Sequence, residues 1–263
     1  MKDEKSQLNV MLDKTGDIFI PNISVDCIIL GFHSGCIKVL LCKPETSEKW
    51  MLPGGFVTED EDPEESAYRV LTEKTGLKND IYLRQFCFFG KKGRIRNGEH
   101  AAMIKRMKFD CESIIKQHAP NRFISLGYYS LIKYSDVNVS THEHEETSWF
   151  DINKIPELYA DHEEIIYTAI SSIRKQIGFI PVGYELLPEK FTMPELRCIY
   201  EVLLGRELDR RNFQRKMLTI GYISPLNEKR KAGAHKAPNL YTFIKDKYKE
   251  AEELGIQIMS NNL

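Results

Sequence analysis

Short runs of β-branched and aromatic residues alternate with amphipathic stretches through the first two thirds of the chain. This alternation predicts strands at 24–32, 36–42, 81–89, 123–134 and 147–152, with a hairpin turn at His33-Ser34-Gly35. A helix is predicted from 63 to 74, because Pro63 suits a first turn and Gly76 suits a C-cap. A second helix is predicted at about 162–177. The pattern indicates one mixed domain of strands and helices.

A segment containing two prolines and two glycines, residues 178–191, marks the predicted domain boundary. It divides the chain into residues 1–178 and residues 179–263. Beyond it, Thr192 and Glu195 form a capping-box pattern for a helix that ends at Gly205. A second helix is predicted between Asp209 as its N-cap and Gly221. Two short strands joined by a basic turn complete the order of a winged helix-turn-helix.

A polar, basic insertion lies at about 90–121. It is too long for a simple turn, and a helix is predicted at about 101–117. Its role remains open: the insertion could form an interface, cover a cleft as a lid, or have no specific role.

The bulk composition is that of an ordinary globular protein, with 42% hydrophobic and 29% charged residues in a chain of 263. No apolar run is long enough for a membrane span, and the first residues lack the apolar core of a signal peptide. The six cysteines are scattered, which favours buried thiols in a reducing compartment. We therefore expect a cytoplasmic protein with no membrane partner.

The net charge of −1 conceals an uneven distribution along the chain. Residues 206–247 hold eleven Lys or Arg against four Asp or Glu. Such a basic segment is typical of a domain that meets a polyanion, although a solvated basic face gives the same count.

The stretch 54–77 combines fixed glycine, acidic, basic and aliphatic positions. They are Gly55, Glu61, Arg69, Leu71, Glu73, Gly76 and Leu77. This spacing, directly after Pro53-Gly54, resembles the Nudix box and implies the Nudix α/β/α sandwich. Hydrolysis of a diphosphate would need a divalent metal held by carboxylates at i, i+3 and i+4 of a helix.

Those three positions hold Val70, Glu73 and Lys74. Valine cannot bind a metal and an ammonium repels one, so we predict no metal, no cofactor and no catalytic residue. Arg69, Glu73 and Lys74 stay candidates for ligand binding, and Arg69 is expected to hold Glu61 or Glu73. The acidic and histidine-rich run 141–147 could supply a metal ligand from a distance or be a solvated loop.

The predicted second helix and the basic turn of the C-terminal part carry the candidate DNA contacts. They are Arg210, Arg211, Asn212, Gln214, Arg215, Lys216, Lys229, Arg230, Lys231, His235 and Lys236. Arginine can read guanine and Asn or Gln can read adenine, while the remaining cations suit backbone phosphates.

The degenerate box, the stretch 191–218 and the stretch 236–244 together resemble the Nudix-related transcriptional regulators. The resemblance implies an α+β fold, namely a Nudix-like effector-sensing domain followed by a winged helix-turn-helix domain. It also implies a homodimer, a double-stranded DNA operator, and a small-molecule effector that is a sugar such as arabinose or an ADP-ribose-like nucleotide. The alternatives are an active Nudix hydrolase of ADP-ribose-like nucleotides with an appended nucleic-acid-binding domain, and a binding module without a DNA partner.

Overall fold

The computed structural model of the chain describes residues 19–45, 47–78, 81–95, 124–137, 145–179, 182–230 and 237–253. The N-terminal two thirds contain six strands. They are β1 (Phe19–His33), β2 (Cys36–Pro44), β3 (Gly54–Thr58), β4 (Tyr82–Phe89), β5 (Ile124–Leu131) and β6 (Glu145–Asp151). Two helices accompany them, α1 (Pro63–Thr75) and α2 (His162–Gln176), with a 3₁₀ turn at Tyr134–Asp136.

The six strands form one sheet in the order β4-β5-β1-β2-β6, and β3 pairs with β1 in antiparallel fashion. Val25 and the residues from Cys27 to Leu30 are fully buried, so the centre of β1 is covered on both faces. Asn22 has a φ of 65°, and the pairing of β1 with β3 shifts register at this point. Asparagine tolerates this left-handed conformation better than most residues, which permits a bulge here.

Helix α1 begins and ends where its sequence signals predict. The backbone N–H of Asp62 donates to Glu65 at 2.8 Å, and Pro63 opens the first turn. Gly76 adopts a φ of 74°, and its N–H donates to the carbonyl of Thr72 at 2.8 Å. Strand β3 was not expected, since its Gly-Gly start suggests a loop, and pairing with β1 overrides that preference.

The C-terminal part has the predicted winged helix order with three additions. It contains α3 (Val182–Leu186), β7 (Phe191–Thr192), α4 (Met193–Leu204), α5 (Arg210–Ile220), β8 (Ile223–Lys229), β9 (Asn239–Phe243) and α6 (Lys245–Glu253). The strands pair in the order β7-β9-β8. Helices α4 and α5 and the two long strands confirm the prediction, whereas α3, β7 and α6 were not predicted.

The caps of α4 and α5 are those the sequence indicates. The N–H of Thr192 donates to Glu195 at 2.8 Å, and Asp209 accepts the N–H of Asn212 at 2.8 Å. Gly205 and Gly221 both end their helices in the left-handed region, with φ of 68° and 79°. These contacts fix the turn between the two helices.

The chain divides into two compact units that do not follow chain order. The first takes residues up to Ile29, Val39–Ser130 and Val137–Ala169, and the second takes Leu30–Lys38, Leu131–Asp136 and the chain from Ile170 onward. One division therefore falls inside α2. The helix predicted at 101–117 and most of the insertion lie outside the described residues.

Across the described ranges, none of the helices has the length and apolar character needed to cross a membrane.

Candidate functional site

Arg69 of α1 holds Glu61, which is one of the two outcomes that the sequence left open. Its Nη2 lies 2.6 Å from Glu61 Oε1, its Nε lies 3.1 Å from Oε2, and Nη2 also donates to the carbonyl of Phe56 at 3.0 Å. Glu73 is more distant, at 3.8 Å from Nη1. Arg69 thus ties the loop before α1 to strand β3.

The environment of Glu61 keeps its carboxylate charged. Partial burial acts to raise the pKa of Glu61, but hydrogen bonds from Arg69, Ser66 and the backbone N–H of Thr58 lower this pKa to about 2. All the donors around it are protein groups that stabilise the ionised form. Glu61 is consequently a structural anion within its loop.

The two departures from the Nudix box lie side by side on α1 and are both out of solvent. Val70 is buried, and the Lys74 ammonium donates directly to the carboxylate of Glu145 at the start of β6. The two charged side chains are only 12% and 16% exposed. Glu145 is thus an acid from a distant strand that meets an ammonium at the box helix.

This arrangement does not suit a divalent metal. An ammonium already neutralises Glu145, Val70 offers no oxygen, and Glu73 is half exposed. Among the described residues, no three His, Cys, Asp or Glu side chains converge as a metal site would require. His142, Glu143 and His144 of the acidic and histidine-rich run lie outside the described residues.

A cavity of about 230 Å³ opens beside β1 and β3 in the first compact unit. Its lining is mainly apolar, with contributions from Met51, Leu52, Phe56 and Tyr159. Its charged and polar lining residues include Asp26, Arg94, Glu145 and His162. A concave, largely apolar site with a few polar groups is the usual form of a small-molecule pocket.

Arg94 is the best-anchored charge in this lining. Its Nη2 and Nε lie 2.8 and 3.1 Å from Asp161 Oδ1, and its Nη1 donates to the carbonyl of Phe89 at 2.9 Å. The same Nη2 is 3.5 Å from Asp26 Oδ2. The Arg94 side chain is 4% exposed, so this ion-pair network is shielded from solvent screening.

His162 begins α2 at the edge of the cavity. Its Nδ1 accepts the backbone N–H of Leu52 at 2.9 Å. Burial lowers the pKa of His162, although the nearby Asp26 and Asp161 act in the opposite direction. The imidazole is therefore neutral at pH 7, with its proton on Nε2.

None of the three ligand residues predicted from the box, Arg69, Glu73 and Lys74, lines this cavity. Lys74 is connected to the cavity by its hydrogen bond to Glu145, which is a lining residue. The sequence did not point to Asp26, Arg94 or His162. Asp26 carried a usable signal, because it is the one charged residue in the apolar run 24–32.

The predicted DNA contacts on α5 divide into exposed and engaged residues. Arg210, Arg211, Asn212 and Arg215 are exposed, and Arg215 Nη2 donates to Asn212 Oδ1 at 2.9 Å. Gln214 is half-buried, with its amide 3.4 Å from the hydroxyl of Tyr241.

Lys216 differs from the arginines of α5. Its ammonium nitrogen is buried and has no hydrogen-bond partner within the described part of the chain. Lys216 follows the buried Phe213 by one helical turn, which places it beside the core face of α5. In this conformation it does not offer its charge to the surface.

The predicted contacts in the basic turn are only partly described. Lys229 is exposed at the end of β8, while the Arg230 guanidinium donates to the carboxylate of Glu195 and to the carbonyl of Lys190. Lys231, His235 and Lys236 lie outside the described residues. Arg230 therefore links the hairpin to the start of α4.

Residues 21–169 match the family described as "NUDIX domain", and residues 183–243 match the "NrtR DNA-binding winged helix domain". The "ADPR responsive transcriptional repressor NtrR" of Acinetobacter baylyi is 26% identical over 236 residues, covering 87% of this chain and 84% of that protein.

Two solved structures share the arrangement of elements. NrtR of Shewanella oneidensis, complexed with a 27mer DNA, is 25% identical with a TM-score of 0.64 and covers 86% of this chain and 95% of its own. A MutT/nudix family protein from Enterococcus faecalis is 21% identical with a TM-score of 0.60, covering 85% of this chain and 88% of its own. The second shows likeness of fold alone.

Proposed function

Because the chain belongs to the Nudix family and continues into a winged helix domain of the NrtR type, we propose that it is a ligand-responsive transcriptional regulator. The observation that carries this proposal is the exposed arginine face of α5 in a helix-turn-helix with complete caps. Arg210, Arg211 and Arg215 suit base edges and phosphates of double-stranded DNA. The relative from Acinetobacter baylyi, described as a transcriptional repressor, supports this assignment.

The effector that we propose is an ADP-ribose-like nucleotide. The same relative is described as "ADPR responsive", and the first compact unit contains a cavity that suits part of such a molecule. A free sugar remains the second candidate. Effector binding would change the affinity for DNA by the same coupling free energy with which DNA changes the affinity for effector.

We assign effector sensing to residues 1–178 and DNA binding to residues 179–263, with a homodimer as the acting form and the cytoplasm as its location. The two family matches fall inside these two ranges, which supports the division. A dimer would present two copies of α5 to operator half-sites about one helical turn of DNA apart.

The alternative, an active hydrolase of the same nucleotides, lacks support at the box helix. The ammonium of Lys74 pairs with Glu145 where a metal-binding acid would be needed. Incubation of the protein with ADP-ribose and Mg²⁺ or Mn²⁺, followed by chromatography for AMP, tests this alternative. Release of AMP that is abolished by Glu73→Gln would favour the hydrolase.

DNA binding is tested by fluorescence anisotropy with duplexes taken from upstream regions of the source genome, over a series of salt concentrations. We expect at least one duplex to bind far more tightly than a scrambled duplex, with affinity falling steeply as salt rises. Arg211→Gln should weaken that complex by about 1–3 kcal/mol.

The matched control is Lys249→Gln on α6, which removes one exposed positive charge from the same domain. It should leave the specificity for the preferred duplex unchanged. If no duplex binds better than the scrambled one, the regulator assignment is wrong.

A further inference from the structure

Asp26 is a buried carboxylate with an incomplete set of partners. It is 6% exposed at the centre of β1 and lines the cavity. Its Oδ2 lies 3.5 Å from Arg94 Nη2, at the limit of a hydrogen bond. Over the described ranges, its Oδ1 accepts no hydrogen bond. Because Asp26 lines the cavity, this oxygen is placed to accept a hydrogen bond from a bound ligand.

The imidazole of His162 lies near Asp26 Oδ1. The two atoms, His162 Nε2 and Asp26 Oδ1, are 3.9 Å apart, which is too far for a direct hydrogen bond. Because Nδ1 accepts the N–H of Leu52, the neutral ring carries its proton on Nε2. A donor and an acceptor thus face each other across a gap inside the cavity.

The surroundings hold this pair in place. Arg94 is fixed by Asp161 and by the carbonyl of Phe89, and it lies on the Oδ2 side of Asp26. On the other side, a Cβ at Gly54 would lie 2.9 Å from Asp26 Oδ1. A side chain at position 54 would collide with the carboxylate, so glycine there leaves Asp26 Oδ1 its room.

We infer that Asp26 and His162 form a recognition subsite for a sugar hydroxyl. The hydroxyl would accept the proton of His162 Nε2 and donate its own to Asp26 Oδ1. A hydroxyl can do both, whereas a phosphate oxygen only accepts and an ammonium only donates. A phosphate would also be repelled by the Asp26 carboxylate.

The size and charge of the cavity agree with a sugar moiety. At about 230 Å³ it is smaller than the roughly 300–1,000 Å³ of pockets that enclose a whole drug-sized ligand, so it accommodates one part of a nucleotide. The Arg94 guanidinium already pairs with Asp161, and the Lys74 ammonium pairs with Glu145. With these charges already balanced, the cavity suits an uncharged sugar better than a phosphate. The inference rests on the proposed effector class, and it names the part of the effector that this cavity holds.

Isothermal titration with ADP-ribose, ADP and D-ribose tests the subsite, using the wild type, Asp26→Asn and His162→Gln. We expect Asp26→Asn to weaken ADP-ribose binding about 10- to 100-fold, the effect of losing a hydrogen bond to a charged group. His162→Gln should weaken it about 2- to 10-fold, because the neutral imidazole makes an uncharged hydrogen bond. The double variant should lose little more than Asp26→Asn alone, because both side chains bind the same hydroxyl. A loss confined to ADP-ribose places that hydroxyl on the ribosyl end, and an equal loss with ADP places it on the adenosine ribose.

Asp136→Asn is the control, since this exposed carboxylate does not line the cavity. It should bind ADP-ribose as the wild type does. Should a variant fail to fold, ADP-ribose analogues that lack one ribose hydroxyl at a time are titrated into the wild type instead. One analogue must then show the same loss.

The outcomes separate this inference from the proposed function. If the wild type binds ADP-ribose and both variants and all analogues bind equally well, the subsite is wrong and the effector stands. If the wild type binds D-ribose but no nucleotide, and Asp26→Asn abolishes that binding, the subsite stands and the nucleotide effector is wrong. If the wild type binds none of the three compounds, both are wrong.

Discussion

The ammonium of Lys74 donates to the carboxylate of Glu145, 71 residues further along the chain. Both side chains are largely removed from solvent. A fixed protein cation therefore occupies the side of the box helix from which a hydrolase would coordinate its metal.

Removal of one partner of this pair should destabilise the protein strongly. Lys74→Met would leave Glu145 buried without a counter-charge, and the expected loss is about 3 kcal/mol of unfolding free energy. Urea denaturation followed by circular dichroism measures it. The double variant Lys74→Met with Glu145→Gln should recover most of the loss, because no charge remains uncompensated. A double variant as unstable as the single one would contradict the pairing.

Restoration of acids at the box helix should create a divalent cation site. In the double variant Val70→Glu with Lys74→Glu, new carboxylates would join Glu73 and Glu145 around one helix face. We expect Mn²⁺ to raise the melting temperature of this variant and to leave that of the wild type unchanged, since binding to the native state adds to stability. A Ca²⁺-free, chelator-treated sample is the reference. An equal change in melting temperature for the variant and the wild type would show that the substitutions create no cation site.

The acid stability of the protein should depend on Glu61. Its pKa is lowered to about 2 in the folded state from an ordinary value of 4.5, so the unfolded chain binds the proton more readily. The stabilisation is present above pH 4.5 and is lost as the pH falls toward 2. In urea titrations between pH 6 and pH 3, Glu61→Gln should therefore show a flatter decline of stability than the wild type. Identical slopes would show that the unfolded and folded pKa values do not differ.

Gly54→Ala should damage the cavity even though the backbone there is not left-handed. The added Cβ would lie 2.8 Å from the carbonyl oxygen of Val25, which is backbone, and 2.9 Å from Asp26 Oδ1. A cost of about 1–3 kcal/mol in unfolding free energy is expected, together with weaker effector binding. Gly90→Ala is the control, because its Cβ would meet only the side chain of Ile124 at 3.3 Å.

The elements that the sequence predicted are those with local signals. Helix α1 between Pro63 and Gly76, and helix α4 from its Thr192 cap, depend on residues within a few positions of each other. The cavity could not be predicted in this way. Arg94 meets Asp161 across 67 residues, and Leu52 meets His162 across 110. The hydrophobic periodicity of a sequence does not predict contacts between residues so far apart in the chain.

The ligand prediction at the box helix depends on contacts of the same kind. Arg69, Glu73 and Lys74 are polar residues in a recognisable pattern, and they attracted the ligand prediction for that reason. In the structure Arg69 is occupied by Glu61 and Lys74 by Glu145. Whether a charged side chain is available depends on a partner from elsewhere in the chain, and that partner is visible only after folding.

The second compact unit contains more than the winged helix, and this affects how the chain can be shortened. Arg174 Nε donates to the carbonyl of Leu203 at 2.7 Å, near the end of α4, and the thiol of Cys198 lies 3.1 Å from the carbonyl of Gly35. A truncated protein that starts at residue 179 would keep α4 and lose both partners. Excision of the DNA-binding part should therefore retain the second half of α2, because a shorter fragment would lose the hydrogen bond from Arg174 to the end of α4.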